Sequence, residues 1–256
     1  MIHPLKKPLL PIIRYFGKQK MERKFRKEPI LIGGCARSGT TLLQSILSAH
    51  PYIFVFPDEI AAFNHWKTNK EGQSIPIRID KLYRETLRHK IPPKATRWCS
   101  KAPSNVSHIG NIMQFYNNQV KFIHIVRDIR DVVLSKHPKK KDQYWVTPER
   151  WLNDVGKGLK YKDHPNVLTI KYEDLIQHAE ETIKTICSFI DEKDCEEVHN
   201  WRTHTKIKKS KALFGEIKPL HNKSIGKWKE FADKEQVDQL MNNKEIRQTM
   251  EACGYV

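Results

Sequence analysis

Residues 30–47 read ILIGGCARSGTTLLQSIL and decide the fold of this chain. The three apolar residues Ile30, Leu31 and Ile32 precede a glycine pair, and from Ser38 onward apolar residues recur at helical spacing. The pattern predicts a buried strand, a tight loop and a helix. Backbone N–H groups in such a loop converge at a helix N-terminus, where the helix dipole also favours a bound phosphate.

The side chains of the loop strengthen this prediction of a phosphate site. Gly39 allows unusual backbone angles, and four neighbours can donate hydrogen bonds to phosphate oxygens, namely Arg37, Ser38, Thr40 and Thr41. The spacing matches the triphosphate-binding motif G-x-x-x-x-G-K-S/T, except that Thr40 replaces the lysine that reaches the β- and γ-phosphates. The loop therefore suits a nucleotide that carries a single 5′-phosphate group and binds no metal.

The longer stretch GGCARSGTTLLQSILSAHP, residues 33–51, resembles the 5′-phosphosulfate loop of the PAPS-dependent sulfotransferases, including their carbohydrate and tyrosylprotein branches and bacterial relatives. The resemblance implies a nucleotide-kinase-like α/β fold and the donor 3′-phosphoadenosine 5′-phosphosulfate (PAPS). The product nucleotide would be 3′-phosphoadenosine 5′-phosphate (PAP). It also implies that Arg37 to Thr41 bind this nucleotide. A degenerate triphosphate loop is the alternative.

Beyond the loop, strand and helix patterns alternate, which predicts an α/β fold with a parallel sheet flanked by helices. Residues 52–56 and 120–126 are predicted strands. We expect a helix directly after each of them, and the first of these helices should reach Trp66. Residues 234–253 are predicted as one final amphipathic helix.

Arg127 follows the strongest predicted strand, and Ser135 is expected two turns into the next helix. Both side chains could reach one anion at the sheet edge, and a forked guanidinium suits a phosphate dianion. The pattern R-D-x-x-D-x-x-x-S resembles the 3′-phosphate signature of the sulfotransferases, which implies that Arg127 and Ser135 bind the 3′-phosphate. The alternative is a magnesium-binding Asp128, as in NTPases, and the missing loop lysine argues against it.

Glu59 and Lys101 are the predicted catalytic residues. Glu59 follows a strand at the edge where an open α/β sheet binds its ligand, and a partly buried carboxylate could take the proton from an acceptor hydroxyl. Its position resembles that of the catalytic glutamate in the carbohydrate and tyrosylprotein branches. The segment W-C-S-K-A-P resembles a lysine-containing segment of the same branches, which implies that Lys101 stabilises the leaving group. The alternative bases are Asp58, His65 and His108.

Two further matches concern other parts of the nucleotide. The segment K-Y-E-D-L at 171–175 resembles a recurrent family segment, which implies that Tyr172 lies near the adenine; core packing is the alternative. The triplet ending in Trp228 resembles a segment that closes over the nucleotide and places Lys227 near a phosphate. It belongs to a long basic loop, residues 205–229, which we expect to be mobile without nucleotide and ordered with it.

The charge of the chain favours anionic partners. Its 46 Lys and Arg residues against 29 Asp and Glu residues give a formal net charge of +17, which suits a phosphorylated nucleotide, an acidic acceptor, nucleic acid or a membrane surface. The sequence carries no nucleic-acid-binding motif, so we predict no nucleic-acid partner. A lysine run is typical of a solvated face and could also guide an anionic substrate; it comprises Lys136, Lys139, Lys140 and Lys141.

The predicted organisation is a basic N-terminal arm, residues 1–28, and a single sulfotransferase domain, residues 29–256. We interpret the arm as a solvated segment packed loosely on the domain, with a peripheral membrane contact as the alternative. We expect no transmembrane helix, because no apolar stretch approaches a length of about 18 residues, and no signal peptide, because prolines and charges interrupt any apolar core at the N-terminus. Five scattered cysteines without a C-x-x-C pair favour a reduced compartment, the cytoplasm, and argue against a zinc site; one bridge of the Cys99–Cys187 type is the alternative.

Together these features predict an enzyme that moves the sulfuryl group of PAPS to a hydroxyl acceptor, with a carbohydrate as the expected acceptor. A protein tyrosine and a small-molecule alcohol are the alternatives, and the sequence leaves the acceptor and the oligomeric state open. Two other classes compete with this prediction. A metal-dependent kinase or NTPase would hydrolyse ATP with magnesium, and a non-catalytic basic module would bind polyanions in a salt-sensitive way without nucleotide preference.

Overall fold

Strands and helices alternate along most of the chain. A computed structural model describes residues 9–135, 143–210, 215–216, 222–231 and 234–256. The strands are β1 Ile30–Gly34, β2 Ile53–Val55, β3 Trp66–Thr68, β4 Ser74–Pro76, β5 Arg97–Lys101, β6 Lys121–Val126, β7 Val167–Lys171, β8 Lys209–Ser210 and β9 Gly215–Glu216. The helices are α1 Leu10–Lys24, α2 Thr40–Ala49, α3 Ile79–Arg88, α4 Ile109–Phe115, α5 Ile129–Val133, α6 Pro148–Leu159, α7 Tyr172–Gln177, α8 Ala179–Phe189, α9 Glu196–His199, α10 Trp201–His204, α11 Trp228–Phe231, α12 Lys234–Asn242 and α13 Lys244–Ala252. Short 3₁₀ helices lie at Pro103–His108 and Asn222–Ser224.

The main sheet has the strand order β2-β5-β1-β6-β7, and all of its neighbouring strands are parallel. Ile32 of β1 lies opposite Lys101 of β5 on one side and Ile123 of β6 on the other. The chain order therefore diverges on the two sides of β1, and open α/β sheets bind ligands at such a switch point, beyond the carboxyl ends of the strands. The predicted parallel sheet flanked by helices is confirmed.

The core lies on both faces of the sheet because side chains alternate along each strand. Ile30 and Ile32 of β1 pack with Leu43 and Ile46 of α2 on one face. Leu31, between them in sequence, packs on the other face in a cluster that includes residues of α3 and α4. These β1 side chains are 0% exposed, and each contributes about 1.5–3 kcal/mol by its burial. This packing fixes the loop that leaves β1.

The prediction of a helix after Glu59 is wrong. Residues 57–65 form turns and bends, and the antiparallel pair β3–β4 follows. Ile60 and Phe63 are buried in the core beside the sheet, and Trp66 Nε1 donates to Phe63 O at 2.7 Å. Tertiary packing of these apolar residues thus overrides the helical pattern.

The prediction of one final helix over 234–253 is also wrong in one respect, because this range forms two helices, α12 and α13. Asn243 lies between them, and its side chain accepts hydrogen bonds from Glu245 N and Ile246 N at 3.0 and 3.1 Å. An asparagine in this position caps the first turn of a new helix, so the chain restarts there.

The described part of the predicted arm contains a helix, α1, which packs against α3. The two helices meet at Gly17, where an added Cβ would lie 2.3 Å from Tyr83 Cβ. Three basic side chains of α1 donate to backbone carbonyls near either end of α3 or just beyond it, namely Arg14, Lys20 and Lys24. Over the described ranges, no helix combines the length and hydropathy required to span a bilayer.

Candidate nucleotide and sulfuryl-transfer site

The loop between β1 and α2, residues 35–39, has the geometry of a phosphate cradle. Gly39 has φ +94°, and a Cβ at this position would lie 2.4 Å from Tyr172 Cδ2. Arg37 has φ +73°, which is uncommon for a residue with a side chain. The loop therefore contains two residues with positive φ, Arg37 and Gly39, directly before α2.

Three buried polar atoms at this loop fit an anionic ligand. Ser38 Oγ, Arg37 Nε and Arg127 Nε have no hydrogen-bond partner within the described ranges. Buried polar groups in native proteins are nearly always hydrogen-bonded. Burial and the neighbouring Arg127 lower the pKa of Arg37. An anion between these groups would supply the missing acceptors and favour the charged guanidinium.

Arg127, at the carboxyl end of β6, meets three predicted elements of the nucleotide site. Its Nη1 donates to Arg37 O at 3.0 Å, and its Cζ lies 4.6 Å from the centroid of the Tyr172 ring. Its Nη2 donates to Ser224 O. The structure thus brings together Arg127, Arg37, Tyr172 and the start of the segment that contains Lys227.

Ser135 differs from its predicted setting. The helix α5 ends at Val133, so Ser135 lies just beyond it and not two turns inside a helix. Its Oγ donates to Asp131 O at 3.2 Å, and Trp145 N donates to its carbonyl at 3.0 Å. The shortness of α5 explains the difference. No hydrogen bond among the described residues joins Ser135 to Arg127.

Asp131 holds the segment around Lys227 against α5, a role the sequence did not predict. Its Oδ2 accepts from Gly226 N at 2.7 Å and its Oδ1 from Trp228 N at 3.1 Å. The Cζ atom of Arg130 lies 4.0 Å from the Trp228 ring. Lys227 itself is exposed between these two anchored amides. The only sequence signal was an acidic residue four positions after the strand-end arginine.

The other end of the predicted loop 205–229 is also anchored, through hydroxyl groups on α2. Thr205 Oγ1 lies 2.9 Å from Ser45 Oγ and 2.8 Å from Ser48 Oγ, and Ser45 Oγ donates to Ile207 O at 2.9 Å. All three hydroxyl side chains are buried. Part of this loop, 211–214 and 217–221, lies outside the described residues, as do residues 136–142 with the predicted lysine run.

Lys101 and Glu59 meet at the same edge of the sheet. Lys101 Nζ lies 2.5 Å from Glu59 Oε1 and donates to Thr41 Oγ1 at 3.2 Å. Burial lowers the pKa of Lys101, and the charge and hydrogen bond of Glu59 oppose that shift. The Lys101 side chain is 1% exposed and that of Glu59 is 41% exposed. A buried cation and an accessible carboxylate therefore stand next to the first turn of α2.

The alternative bases have other surroundings. Burial lowers the pKa of His108, as do the charges of Lys157 and His65. The His108 ring lies 6.3 Å from Trp66. The described hydrogen bonds join neither histidine to Lys101. Asp58 raises the pKa of Lys101 more weakly than Glu59 does. Across the described ranges, no group of acids, histidines and cysteines has metal-site geometry.

A second unpredicted arrangement lies behind Arg127. Glu173 Oε1 accepts from Asp128 N at 3.1 Å, and Tyr255 Oη donates to Glu173 Oε2 at 2.7 Å. Trp151 Nε1 donates to Arg127 O at 2.9 Å. Burial raises the pKa of Glu173, and the bonds from Tyr255 and Asp128 oppose that shift. The segment K-Y-E-D-L gave the position of Glu173, but nothing in the sequence indicated its partner.

The fold and this edge define an α/β protein with unpartnered donors at the loop after β1 and a lysine–carboxylate pair beside it. The model of the sulfotransferase family matches residues 29–196, and the chain belongs to that family. The predicted recognition is confirmed.

Comparisons with individual relatives and solved structures agree with the family assignment. The chain is 31% identical over 182 residues to a Caenorhabditis briggsae protein provisionally named as a protein-tyrosine sulfotransferase, a match covering 63% of this chain and 65% of that one. The chain spans 38–65% of the length of the curated tyrosine sulfotransferases it matches. The sulfotransferase domain of the Synechococcus PCC 7002 olefin synthase has a TM-score of 0.62 and 19% identity, over 90% of this chain and 97% of that one. A mouse sulfotransferase complexed with PAP has a TM-score of 0.54 and 16% identity, over 96% of each chain.

Proposed function

We propose that this protein transfers the sulfuryl group of PAPS to a hydroxyl acceptor. The single observation that carries the proposal is the Lys101–Glu59 pair beside Thr41, at the edge of the phosphate loop. When bound, PAPS would supply an activated sulfuryl group on a phosphosulfate anhydride. The residues that would hold its 5′ end are Arg37, Ser38, Gly39, Thr40 and Thr41, and Ser38 Oγ and Arg37 Nε have the unpartnered donors that such an anion needs.

Glu59 and Lys101 would divide the chemistry of the transfer. Glu59 would accept the proton of the acceptor hydroxyl while the hydroxyl oxygen forms a bond to sulfur. Lys101 would stabilise the negative charge that the bridging oxygen gains as its bond to sulfur breaks. The products are a sulfate ester and PAP. The exposure of Glu59 suits contact with an acceptor, and the burial of Lys101 suits contact with the leaving group.

The 3′ end of the nucleotide would lie at Arg127. The Arg127 guanidinium faces the Tyr172 ring, and Arg127 Nε lacks a partner among the described residues. The segment from Gly226 to Trp228 is bound beside it by Asp131. Ser135 and Lys227 remain proposed contributors from the resemblance. We infer that Arg127 is the main group that recognises the 3′-phosphate, because a guanidinium can bind a phosphate dianion with two donors.

A labelled-sulfate transfer assay would test the function and the acceptor together. We expect transfer from PAPS to one of three pools: tyrosine-containing peptides, oligosaccharides or small alcohols. The names of the curated relatives favour a tyrosine phenol, whereas the expectation from the sequence was a carbohydrate. Magnesium-dependent ATP hydrolysis without any sulfate transfer would contradict the proposal.

We also propose that the enzyme is cytoplasmic and contacts the surface of an anionic membrane through α1. Four large apolar side chains are 52–61% exposed here, Ile12, Tyr15 and Phe16 on the helix and Leu9 directly before it. Another face of the helix is fixed on α3 at Gly17. The five cysteines are free thiols, which suits a reducing compartment. Apolar side chains beside basic residues are typical of interfacial helices.

Vesicle co-sedimentation would test this contact. The double variant Ile12→Glu with Phe16→Glu should lose binding to phosphatidylserine-containing vesicles, because it places two acids in the apolar face. Tyr52→Glu is the matched control, since Tyr52 is 43% exposed and lies in another part of the fold. Equal sedimentation of the wild type and the double variant would contradict the contact.

A further inference from the structure

Tyr255, which follows α13, is hydrogen-bonded to Glu173 at the start of α7, close to the proposed 3′-phosphate site. Its hydroxyl donates to Glu173 Oε2 at 2.7 Å. Lys171 Nζ donates to Gly254 O at 2.9 Å and lies 5.3 Å from the centroid of the Tyr255 ring. Tyr255 therefore has a defined position, although the family match ends at residue 196.

Glu173 also binds the turn that carries Arg127, through its other carboxylate oxygen. Its Oε1 accepts from Asp128 N at 3.1 Å, and Asp128 is the residue directly after Arg127. The Asp128 carboxylate in turn accepts hydrogen bonds from three groups of Arg130, the backbone N at 2.8 Å, Nε at 3.0 Å and Nη2 at 2.7 Å. A continuous set of hydrogen bonds thus runs from Tyr255 to the strand end.

The helix before Tyr255 packs beneath the phosphate loop. Met250 and Cys253 belong to the same buried cluster as Cys35 and Ala36 of the loop and Val126 at the end of β6. This packing leaves the strand end little freedom to move sideways. The hydroxyl of Tyr255 then supplies the directional contact that packing alone does not give.

We propose that Tyr255 is a positioning residue for recognition of the 3′-phosphate. It holds Glu173, and Glu173 holds the backbone of Asp128, so that the Arg127 guanidinium is presented to the nucleotide in one orientation. This inference rests on the proposed role of Arg127. The chemical group it concerns is the phosphate on the 3′ position of the ribose.

Calorimetric titration with two nucleotides would test the proposal. PAP carries the 3′-phosphate, whereas adenosine 5′-phosphate lacks it, so the ratio of their Kd values measures 3′-phosphate recognition. Tyr255→Phe removes only the hydroxyl and should weaken PAP binding by about tenfold, the size of coupling expected between groups in one hydrogen-bond network. Binding of adenosine 5′-phosphate should change by less than about twofold. Tyr15→Phe, at an exposed tyrosine, is the matched control.

A Glu173 pair keeps the test decisive if Tyr255→Phe folds poorly. Glu173→Gln retains an oxygen that can accept from Asp128 N, so it should keep most of the discrimination that Glu173→Ala loses. Arg127→Ala, measured in parallel, should abolish the preference for PAP. If Arg127→Ala abolishes that preference while a folded Tyr255→Phe variant retains it, the role of Tyr255 is refuted and that of Arg127 stands. An unchanged preference in Arg127→Ala would refute both.

Discussion

Lys101 Nζ lies 2.5 Å from Glu59 Oε1, although the lysine side chain is 1% exposed and the glutamate side chain is 41% exposed. The pair joins the end of β5 to the turn after β2, because β2 and β5 are neighbouring parallel strands with Val55 opposite Cys99. A buried ammonium without this partner would be costly. The proposed base and the proposed leaving-group cation are therefore also structural partners.

The first prediction separates their chemical roles. Glu59→Gln keeps the shape of the side chain but removes the proton acceptor, so turnover should fall by about 10²–10⁴ while PAPS binding survives. Lys101→Ala should also lower turnover, but its deficit should shrink with a donor whose leaving group needs less stabilisation. Steady-state kinetics with two donors would measure both effects. Near-normal turnover in Glu59→Gln on a verified acceptor would move the base to Asp58 or a histidine.

The second prediction concerns Arg127. Arg127→Ala should weaken PAP binding by about 2–4 kcal/mol, because it removes a charge-assisted contact from a largely buried site. Calorimetry would measure the change. Arg202→Ala serves as a control on an exposed arginine of α10. An Arg127→Ala protein that binds PAP as tightly as the wild type would contradict the assignment.

The third prediction concerns the anchored segment beside α5. Asp131→Ala removes the acceptor for Gly226 N and Trp228 N, so hydrogen exchange at these two amides should become faster and PAP should bind more weakly. Asp238→Ala, at an exposed acid on α12, is the control. Unchanged exchange at both amides would show that Asp131 does not hold the segment in solution. Added nucleotide should slow their exchange further if the segment closes over it.

The fourth prediction is a pH dependence of stability. Burial lowers the pKa of His124 to about 4, from an ordinary 6.5. The unfolded chain therefore binds a proton more readily, so the stabilisation is complete above pH 6.5 and is lost as the pH falls toward 4, by at most about 3 kcal/mol. Denaturant unfolding between pH 7.5 and pH 4.5 should show a smaller loss for His124→Gln than for the wild type. His178→Gln, at an exposed position, should follow the wild-type profile.

The parts of the site that lie close together in sequence were predictable. The strand, loop and helix around Ser38 follow from local apolar spacing and from the need for glycine at position 39, whose φ is +94°. Arg127 was predictable because a polar residue that ends a buried strand must emerge at the edge of the sheet. Lys101 and Glu59 are 42 positions apart, and their roles came from the resemblance and not from spacing.

Other features depend on contacts that no local pattern encodes. The residues after Glu59 do not form a helix because the burial of Ile60 and Phe63 determines their conformation. The Tyr255–Glu173 bond spans 82 positions and leaves no periodic signal in the sequence. The anchoring of Gly226 on Asp131 involves a backbone amide, which is the same for every residue type except proline.

Asp131 and Glu173 also determine how much negative charge a phosphate would meet at this edge. Asp131 Oδ2 lies 3.9 Å from Arg127 Nη2, and the charge of Arg127 also acts on Glu173. Both oxygens of each carboxylate accept a hydrogen bond. Gly226, Trp228 and Tyr255 supply three of the four donors. A shorter domain that ended at residue 196 would keep the five parallel strands but would leave both carboxylates less screened, where they would repel a phosphate dianion. Donors from the later part of the chain thus reduce the repulsion that these two carboxylates would exert on a phosphate at the proposed site.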